Sequence, residues 1–258
     1  MNEYALITGA SKGIGKSIAL LLAEAGYNLM LIARSETDLE DLSFIIQNEY
    51  KVKVIWLSID LSGSNAAEEV GSWCSRHTSA LSILVNNAGY GLWGSFGEQS
   101  LEKQMNMLHL NINTVVELTH HLLPVLKLQK QAYVLNISST AAYLPLPTLS
   151  LYAASKTFIL YYSRAIRFEL RNTPVAVSCL CPGPTDTGFA SRAGLDVFAD
   201  LAEKFNMSPA DVAQAGLKGM FNKKPEIIPG FLNKLSSFGA RYLPKALVER
   251  VSAGLYTR

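Results

Sequence analysis

Tyr152 and Lys156 stand four positions apart in "YAASK". At about 3.6 residues per helical turn, that spacing projects both from one face. An ammonium beside a phenol favours the phenolate and draws a tyrosine pKa down from its reference near 10. Such a tyrosine serves as general acid toward a ketone oxygen or as general base toward an alcohol. Taken alone, the same spacing favours an exposed pair on a surface helix. The rest of the chain must say whether a site surrounds it.

A second chemical feature lies near the N-terminus. "TGASKGIGKS", Thr8 to Ser17, fits two phosphate cradles. Gly9, Gly13 and Gly15 form a G-x-x-x-G-x-G turn of the kind that seats a dinucleotide pyrophosphate on a helix N-terminus. Gly15-Lys16-Ser17 also has the tail of a mononucleotide P-loop, but that motif needs glycine where Ala10 stands. Asp60, closing an apolar run, is placed as a magnesium-holding acid would be. Locally, both readings stay open.

The elements that must position these residues follow from periodicity. Short apolar runs alternate with helical patterns from Tyr4 to about Ser139, which predicts βαβ units and a parallel sheet. Strands are expected at Tyr4 to Thr8, Asn28 to Ala33, Lys53 to Asp60, Leu81 to Gly89, Ala132 to Ser139 and Val175 to Gly183, with a short last one in "EIIPG", Glu226 to Gly230. Helical spacing covers Lys16 to Gly26, Asp38 to Tyr50, Leu101 to about Leu128 and Tyr152 to Leu170. Pro124 is expected to kink the third of these. "MSPADVA" reads as a helix start, with Ser208 as N-cap, Pro209 at the first position and Asp211 in the first turn.

Composition narrows the class. The 258 residues are 49% hydrophobic and 17% charged with a net charge of +2, which argues against disorder and against a nucleic-acid footprint. Cys74, Cys179 and Cys181 form neither a disulfide framework nor a metal cluster, so a reduced, metal-free, cytoplasmic protein is expected. The N-terminus does not read as a signal peptide, and the most apolar window, Ile18 to Ala33, is interrupted by Glu24 and Gly26 and falls short of a membrane span. No repeat or linker divides the chain, so one domain over 1–258 is expected, with a substrate-loop and helical extension from 189 onward.

Five motifs in register carry a family resemblance. "TGASKGIG", "NNAG", "NISS", "YAASK" and "PGPTDT" occur in the order found in the classical short-chain dehydrogenase/reductase family, which this sequence resembles over roughly residues 4–190. The resemblance implies a Rossmann-type doubly wound, mostly parallel α/β sheet of about seven strands with helices on both faces. It resolves the opening stretch as a dinucleotide cradle. It implies Tyr152 as the proton donor, Lys156 as its tuner and a ribose ligand, Ser139 as the serine that orients the carbonyl oxygen, and Asn111 as the asparagine that bends the long helix and holds a relay water. By the same resemblance, cofactor contacts fall on Gly9, Ser11, Lys12, Gly13, Ile14 and Gly15, on Asp60 and Leu61, and on Asn87, Ala88 and Gly89. After the sixth strand they fall on Pro182, Gly183, Thr185 and Thr187. Ser138 is expected only to bond backbone.

Cofactor choice can be read from residue types. Dinucleotide folds that select NAD(H) place an acid about twenty residues past the glycine turn to bond the ribose hydroxyls. Here that region holds Ala33 and Arg34. Arg34, together with Lys12, would flank a 2′-phosphate with no carboxylate to repel it, which predicts NADP(H) over NAD(H).

Tyr90, Trp93, Tyr143, Leu144, Leu146 and Phe189 follow the motifs at strand ends, where doubly wound folds bind ligands. They predict a hydrophobic aldehyde or ketone as substrate, reduced to an alcohol, or the acyl chain of a 3-oxoacyl thioester. A sensing or scaffold protein that binds NADP(H) without turnover is the alternative of a different class. A homodimer or homotetramer is expected. The tail from Phe231 to Arg258 looks amphipathic and basic. Simple docking onto the domain is its plainest expectation, with an oligomer contact, a lid or a membrane surface as alternatives.

Overall fold

In a computed structural model of the chain, residues 3–188 and 206–256 are described. Seven parallel strands form one sheet in the order β3-β2-β1-β4-β5-β6-β7. The strands are β1 (Tyr4–Thr8), β2 (Asn28–Ala33), β3 (Val54–Ser58), β4 (Leu81–Asn86), β5 (Ala132–Ile137), β6 (Val175–Leu180) and β7 (Glu226–Ile227). Each lies where the apolar runs predict a strand. The α-helices among the described residues are α1 (Gly13–Glu24), α2 (Glu36–Tyr50), α3 (Ala66–His77), α4 (Leu101–Leu108), α5 (Thr114–Lys127), α6 (Ser150–Glu169), α7 (Pro209–Phe221), α8 (Phe231–Tyr242) and α9 (Lys245–Tyr256).

Alternate residues of the strands feed two cores, one on each face of the sheet. Ala5, Ile7, Leu29 and Leu31 pack against Ile18 and Leu22 of α1, Leu39 and Ile46 of α2, and Val212 and Met220 of α7. Leu6, Met30, Leu84 and Val134 pack on the other face, against Val70 and Trp73 of α3 and Leu118 and Leu122 of α5. Burial on both faces is why these strands are apolar throughout rather than alternating. The strand order reverses between β1 and β4, so the C-terminal ends of those strands open a crevice at the switch point.

The start of α7 is as expected: Ser208 caps it by accepting from the Asp211 N–H at 3.1 Å, with Pro209 in the first turn. Two helical features differ from the sequence reading. The periodicity did not single out α3. Its Gly71 faces the His121 side chain closely, leaving no room for a Cβ without a shift. The predicted long helix breaks not at Pro124 but fifteen residues earlier to eleven residues earlier, as a π-helical turn over His109–Asn113 that contains Asn111. α5 runs on through Pro124 and ends at Lys127, so the proline costs one backbone donor close to the helix end. Among the described residues, no helix is long and apolar enough to cross a membrane.

Candidate active site

The β1–α1 turn is built so that backbone can approach a ligand closely. Gly9 and Gly13 hold φ of 63° and 56°, the left-handed region that side chains rarely adopt. A Cβ at Gly15 would overlap the Gly9 carbonyl. Lys12, the N-cap of α1, makes no side-chain bond to the first turn, so the N–H groups there keep their capacity for an anion. These features fit the pyrophosphate of a dinucleotide.

Thr8 and Asn87 lock this turn to the end of β4. The Asn87 side-chain amide donates to the carbonyls of Thr8 at 2.9 Å and Gly9 at 3.1 Å. The Thr8 hydroxyl accepts from the backbone N–H groups of Asn87 and Ala88 at 2.9 and 3.0 Å. Asn87 therefore holds the cradle with its side chain as well as lining the crevice with its backbone. Thr8 was not among the expected site residues, although it heads the "TGASKGIG" motif and closes β1.

The first-named chemical pair comes together on α6. Tyr152 and Lys156 are both buried, 9% and 6% exposed, which removes the exposed-helix alternative. The Lys156 Nζ lies 5.8 Å from the centroid of the Tyr152 ring and donates to the Ile137 carbonyl at 3.1 Å. Burial draws its ammonium down to about 8, against a smaller upward push from the neighbouring Cys179 and Cys181.

The helix that carries this pair is anchored by buried amides. Asn86 of β4 donates to Asn136 of β5 at 2.8 Å, and Asn136 donates to Ser163 of α6 at 2.9 Å. The Ser138 hydroxyl donates to the Lys156 carbonyl at 2.7 Å, the backbone role expected of it. Ser139, its neighbour, caps a short 3-10 turn over Thr140–Tyr143 by accepting from the Ala141 N–H at 3.1 Å. That turn packs on α6.

Asn111 reaches the same place from the π turn. Its amide donates to the Tyr90 carbonyl at 2.9 Å and to the Ser155 hydroxyl at 3.1 Å, while its oxygen accepts from the Tyr90 N–H at 3.2 Å. A Cβ at Gly89 would stand 2.8 Å from the Asn111 oxygen and 3.4 Å from the Lys156 Nζ. Gly89 thus sits between Asn111 and Lys156, and a side chain there would have to displace the Asn111 carboxamide. Ser155, which also donates to the Tyr152 carbonyl at 2.7 Å, is a second member that the sequence reading passed over. It lies inside the "YAASK" motif but shows no pattern of its own.

On the adenosine side, Arg34 is exposed at the end of β2, with its carbonyl bonded by the Ser58 hydroxyl at 2.9 Å. Asp60 accepts from the N–H and hydroxyl of Ser62 at 2.9 and 2.7 Å. Those bonds hold its carboxyl below the ordinary range, and the nearby Arg34 guanidinium adds to the effect. Leu61 is buried, its carbonyl bonded by Thr114 at 2.8 Å. The expectation of two cations with no carboxylate near them needs correction. Lys12 pairs with Asp38 at 3.1 Å, and Asp60 lies within electrostatic reach of Arg34. The Lys12 partner was not foreseen because α2 brings Asp38 back over the glycine turn only once β1, α1 and β2 have folded.

After β6, Thr185 donates to the Gly183 carbonyl at 2.9 Å, and a Cβ on Gly13 would meet the Thr187 side chain at 2.8 Å. The last motif therefore comes against the first. Gly183 is also faced by the Asn233 carboxamide from α8, close enough that a Cβ would overlap it.

Tyr90, Trp93, Leu144 and Leu146 cluster with Tyr152 and Met107 beside the pair. Tyr143, expected in the same pocket, does not share it. Its hydroxyl donates to Glu226 at 2.8 Å, and its ring packs with Cys179, Cys181 and Ala240. Burial, with Cys181 and Glu226 beside it, pushes its phenol pKa up, so it stays a neutral donor. Glu226 also takes Arg164 at 3.1 Å and Arg241 at 2.9 Å. Tyr143 is held by that carboxylate because its 3-10 turn aims the side chain at β7. Phe189 lies outside the described residues.

Comparison with known proteins places this arrangement. The family model described as short chain dehydrogenase matches residues 3–196. The human 17-beta-hydroxysteroid dehydrogenase type 3 is 28% identical over 240 residues, covering 92% of this chain and 77% of that protein. The human very-long-chain 3-oxoacyl-CoA reductase is 31% identical over 188 residues, 70% of this chain; the match spans only 59% of that protein's length. Among solved structures, a short-chain dehydrogenase from Sphingobium yanoikuyae in complex with NADPH is 28% identical, with a TM-score of 0.83 over 95% of this chain and 97% of the other. A structure from work on 7beta-hydroxysteroid dehydrogenase stereoselectivity is 25% identical, with a TM-score of 0.87 over 97% and 96%.

Proposed function

The chain belongs to the short-chain dehydrogenase/reductase family of oxidoreductases, and from that premise we propose that it reduces a hydrophobic aldehyde or ketone to an alcohol with NADPH. The observation that carries the reading is the buried pair on α6, with the Lys156 ammonium 5.8 Å from the Tyr152 ring centroid. A bound nicotinamide would supply the hydride. Every other step falls to this chain. The Ser139 hydroxyl holds the substrate oxygen, and the Tyr152 hydroxyl delivers a proton to it as the carbonyl carbon is reduced. Lys156 favours the phenolate that results. Asn111, next to Lys156 across Gly89, is suited to hold a water through which the proton is replaced.

The cradle of Gly9, Ser11, Lys12, Gly13, Ile14 and Gly15 would take the pyrophosphate, and Asp60 and Leu61 the adenine. Asn87, Ala88 and Gly89 with Pro182, Gly183, Thr185 and Thr187 would line the nicotinamide half. Tyr90, Trp93 and Leu144 border Tyr152 and supply apolar surface for the substrate. The relatives named for hydroxysteroid and very-long-chain 3-oxoacyl-CoA chemistry favour a bulky apolar carbonyl, and the thioester is the second reading. The test is consumption of NADPH and of NADH over a panel of aldehydes, ketosteroids and 3-oxoacyl thioesters, with each product identified. Turnover confined to small polar carbonyls would remove the hydrophobic assignment.

NADPH preference rests on Arg34, because Lys12 is already paired with Asp38 and would have to exchange that partner for a phosphate. A charge-assisted bond to phosphate is worth about 1.5–3 kcal/mol, roughly ten- to a hundredfold in affinity. Arg34→Ala is expected to weaken NADPH binding by about that factor while leaving NADH within about twofold, as read by fluorescence titration. Equal losses would place selection elsewhere.

Lys156 sets a pH dependence. Its pKa, lowered to about 8, leaves it charged below that pH and neutral above it. The reductive kcat/KM is expected to be level on the acid side and to fall with a midpoint near 8. In Lys156→Met the plateau drops, and the descending limb moves up by about a pH unit or more, toward the tyrosine reference. A wild-type profile that stays level past the tyrosine range would contradict this.

Exposed Leu101 and Met105 on α4, with Tyr161 and Phe168 on α6, give a second copy apolar surface to pack against, which supports a homodimer or homotetramer.

A further inference from the structure

α8 is attached to the molecule by its small residues. Ser237 and Ala240 are buried, whereas Phe231, Leu235, Phe238 and Tyr242 are exposed, Phe231 to 77% and Tyr242 to 69%. Those four, at i, i+4, i+7 and i+11, form a single stripe, and it lies on the side of the helix opposite Ser237 and Ala240. The rings of Phe238 and Tyr242 contact each other at 4.5 Å within it. Leu247 and Val251, one turn apart on α9, are exposed as well while Val248 is buried. A helix that only covered a core would face the other way. Exposed large apolar side chains on two successive helices mark a surface that meets something.

Charge says what it meets. Arg241 turns inward to Glu226; the exposed charges described on this face are Lys234 on α8, which carries no acid, and Arg250 on α9 beside one acid, Glu249. Two copies of this face brought together would set cations against cations. An anionic headgroup layer complements them, and aromatic side chains beside basic ones suit the boundary between headgroups and acyl chains.

The inner side of α8 adjoins the candidate site. Asn233 stands against Gly183, and Arg241 lies over the Tyr143 ring at 5.2 Å while it pairs with Glu226. The family model ends at residue 196, so the tail is not among the residues it matches. We propose that the outer face of α8 and α9 is a docking surface for an anionic lipid bilayer, with the helices lying in the interface and not crossing it. Docked in this way, the membrane-bound helix lies directly over Gly183 and the 140–143 turn, which brings the candidate site close to the lipid that would carry an apolar substrate. That consequence rests on the reductase reading; the docking itself does not.

The test is co-sedimentation of the full chain with vesicles of pure phosphatidylcholine, or of three parts phosphatidylcholine to one part phosphatidylglycerol. The double variant Leu235→Glu, Phe238→Glu is compared with wild type. Binding to the anionic vesicles is expected to be about tenfold or more tighter than to the neutral ones, to weaken with salt, and to fall about tenfold or more in the variant. Because both positions are exposed, NADPH consumption with a short soluble carbonyl should be the same in the two proteins. No pelleting with either vesicle, or pelleting that the variant leaves intact, overturns the proposal. So does a variant that changes only the oligomeric state in sedimentation equilibrium, since the face then belongs to a second copy. Vesicle binding with no carbonyl turnover would instead leave docking standing and remove the reductase reading.

Discussion

Tyr152→Phe is expected to lower kcat for carbonyl reduction by about 10³-fold, within the usual range for loss of a general acid, while NADPH still binds. The hydroxyl is the only atom removed, and the ring stays in its cluster with Met107, Leu146 and Ala153. Lys156 is retained too, bonded to the Ile137 carbonyl. The fold and the cradle should therefore be unaffected, and a thermal midpoint within a degree or two of wild type would be consistent with that. Rapid-quench single turnovers separate the chemical step from product release. A variant retaining more than about a tenth of wild-type activity would mean that another group or solvent delivers the proton.

The second large effect is on the cradle. Gly15→Ala would drive a methyl group into the Gly9 carbonyl and the Asn87 side-chain amide. Both neighbours are fixed: Gly9 is in the left-handed region, and Asn87 is bonded to the Thr8 and Gly9 carbonyls. The turn must open, and overpacking of this kind costs about 1–3 kcal/mol. The thermal midpoint should drop by several degrees. NADPH affinity should drop about tenfold to a hundredfold, because displaced N–H groups no longer converge on the pyrophosphate. Calorimetric titration that shows unchanged affinity would mean that the cofactor is held elsewhere.

Much of the architecture is legible in the residue order, for physical reasons that differ by element. The central strands are buried on both faces, so β1, β2, β4, β5 and β6 stand out as apolar runs without a structure. α7 is legible from a cap, since Ser208, Pro209 and Asp211 are each suited to a helix start. α3 is easily passed over although Ala66, Ala67, Val70, Trp73 and Cys74 recur at helical spacing, because that face is mostly small residues and only Val70 and Trp73 are large apolar side chains. The break in the long helix falls at Asn111, as the family resemblance implied, and not at Pro124, as local propensity implied. A proline one turn from a helix end disturbs little.

At the site, residues within one motif were easier to read than partnerships between motifs. The Tyr152 and Lys156 pair follows from helical spacing, and Ser139 and Asn111 from resemblance. The tie from Asn111 through Ser155 to the Tyr152 carbonyl spans three elements and has no local sign. The ion pair of Lys12 and Asp38 is hidden for the same reason, as is the Glu226 carboxylate that accepts from the Tyr143 hydroxyl. Each is a contact that only the assembled sheet creates.

A protein that bound NADP(H) only to sense it would share the cradle and nothing of the chemistry. Retention of the buried Tyr152 and Lys156 pair argues against that alternative. Transfer of deuterium separates the two most directly. The enzyme is incubated with NADPH carrying deuterium at nicotinamide C4 and a hydrophobic ketone, and the alcohol is analysed by mass spectrometry, with Tyr152→Phe run alongside. The account predicts one deuterium per alcohol at the former carbonyl carbon, in proportion to NADPH consumed, and almost none from the variant. Tight NADPH binding with no deuterium in any product across the carbonyl panel would contradict it.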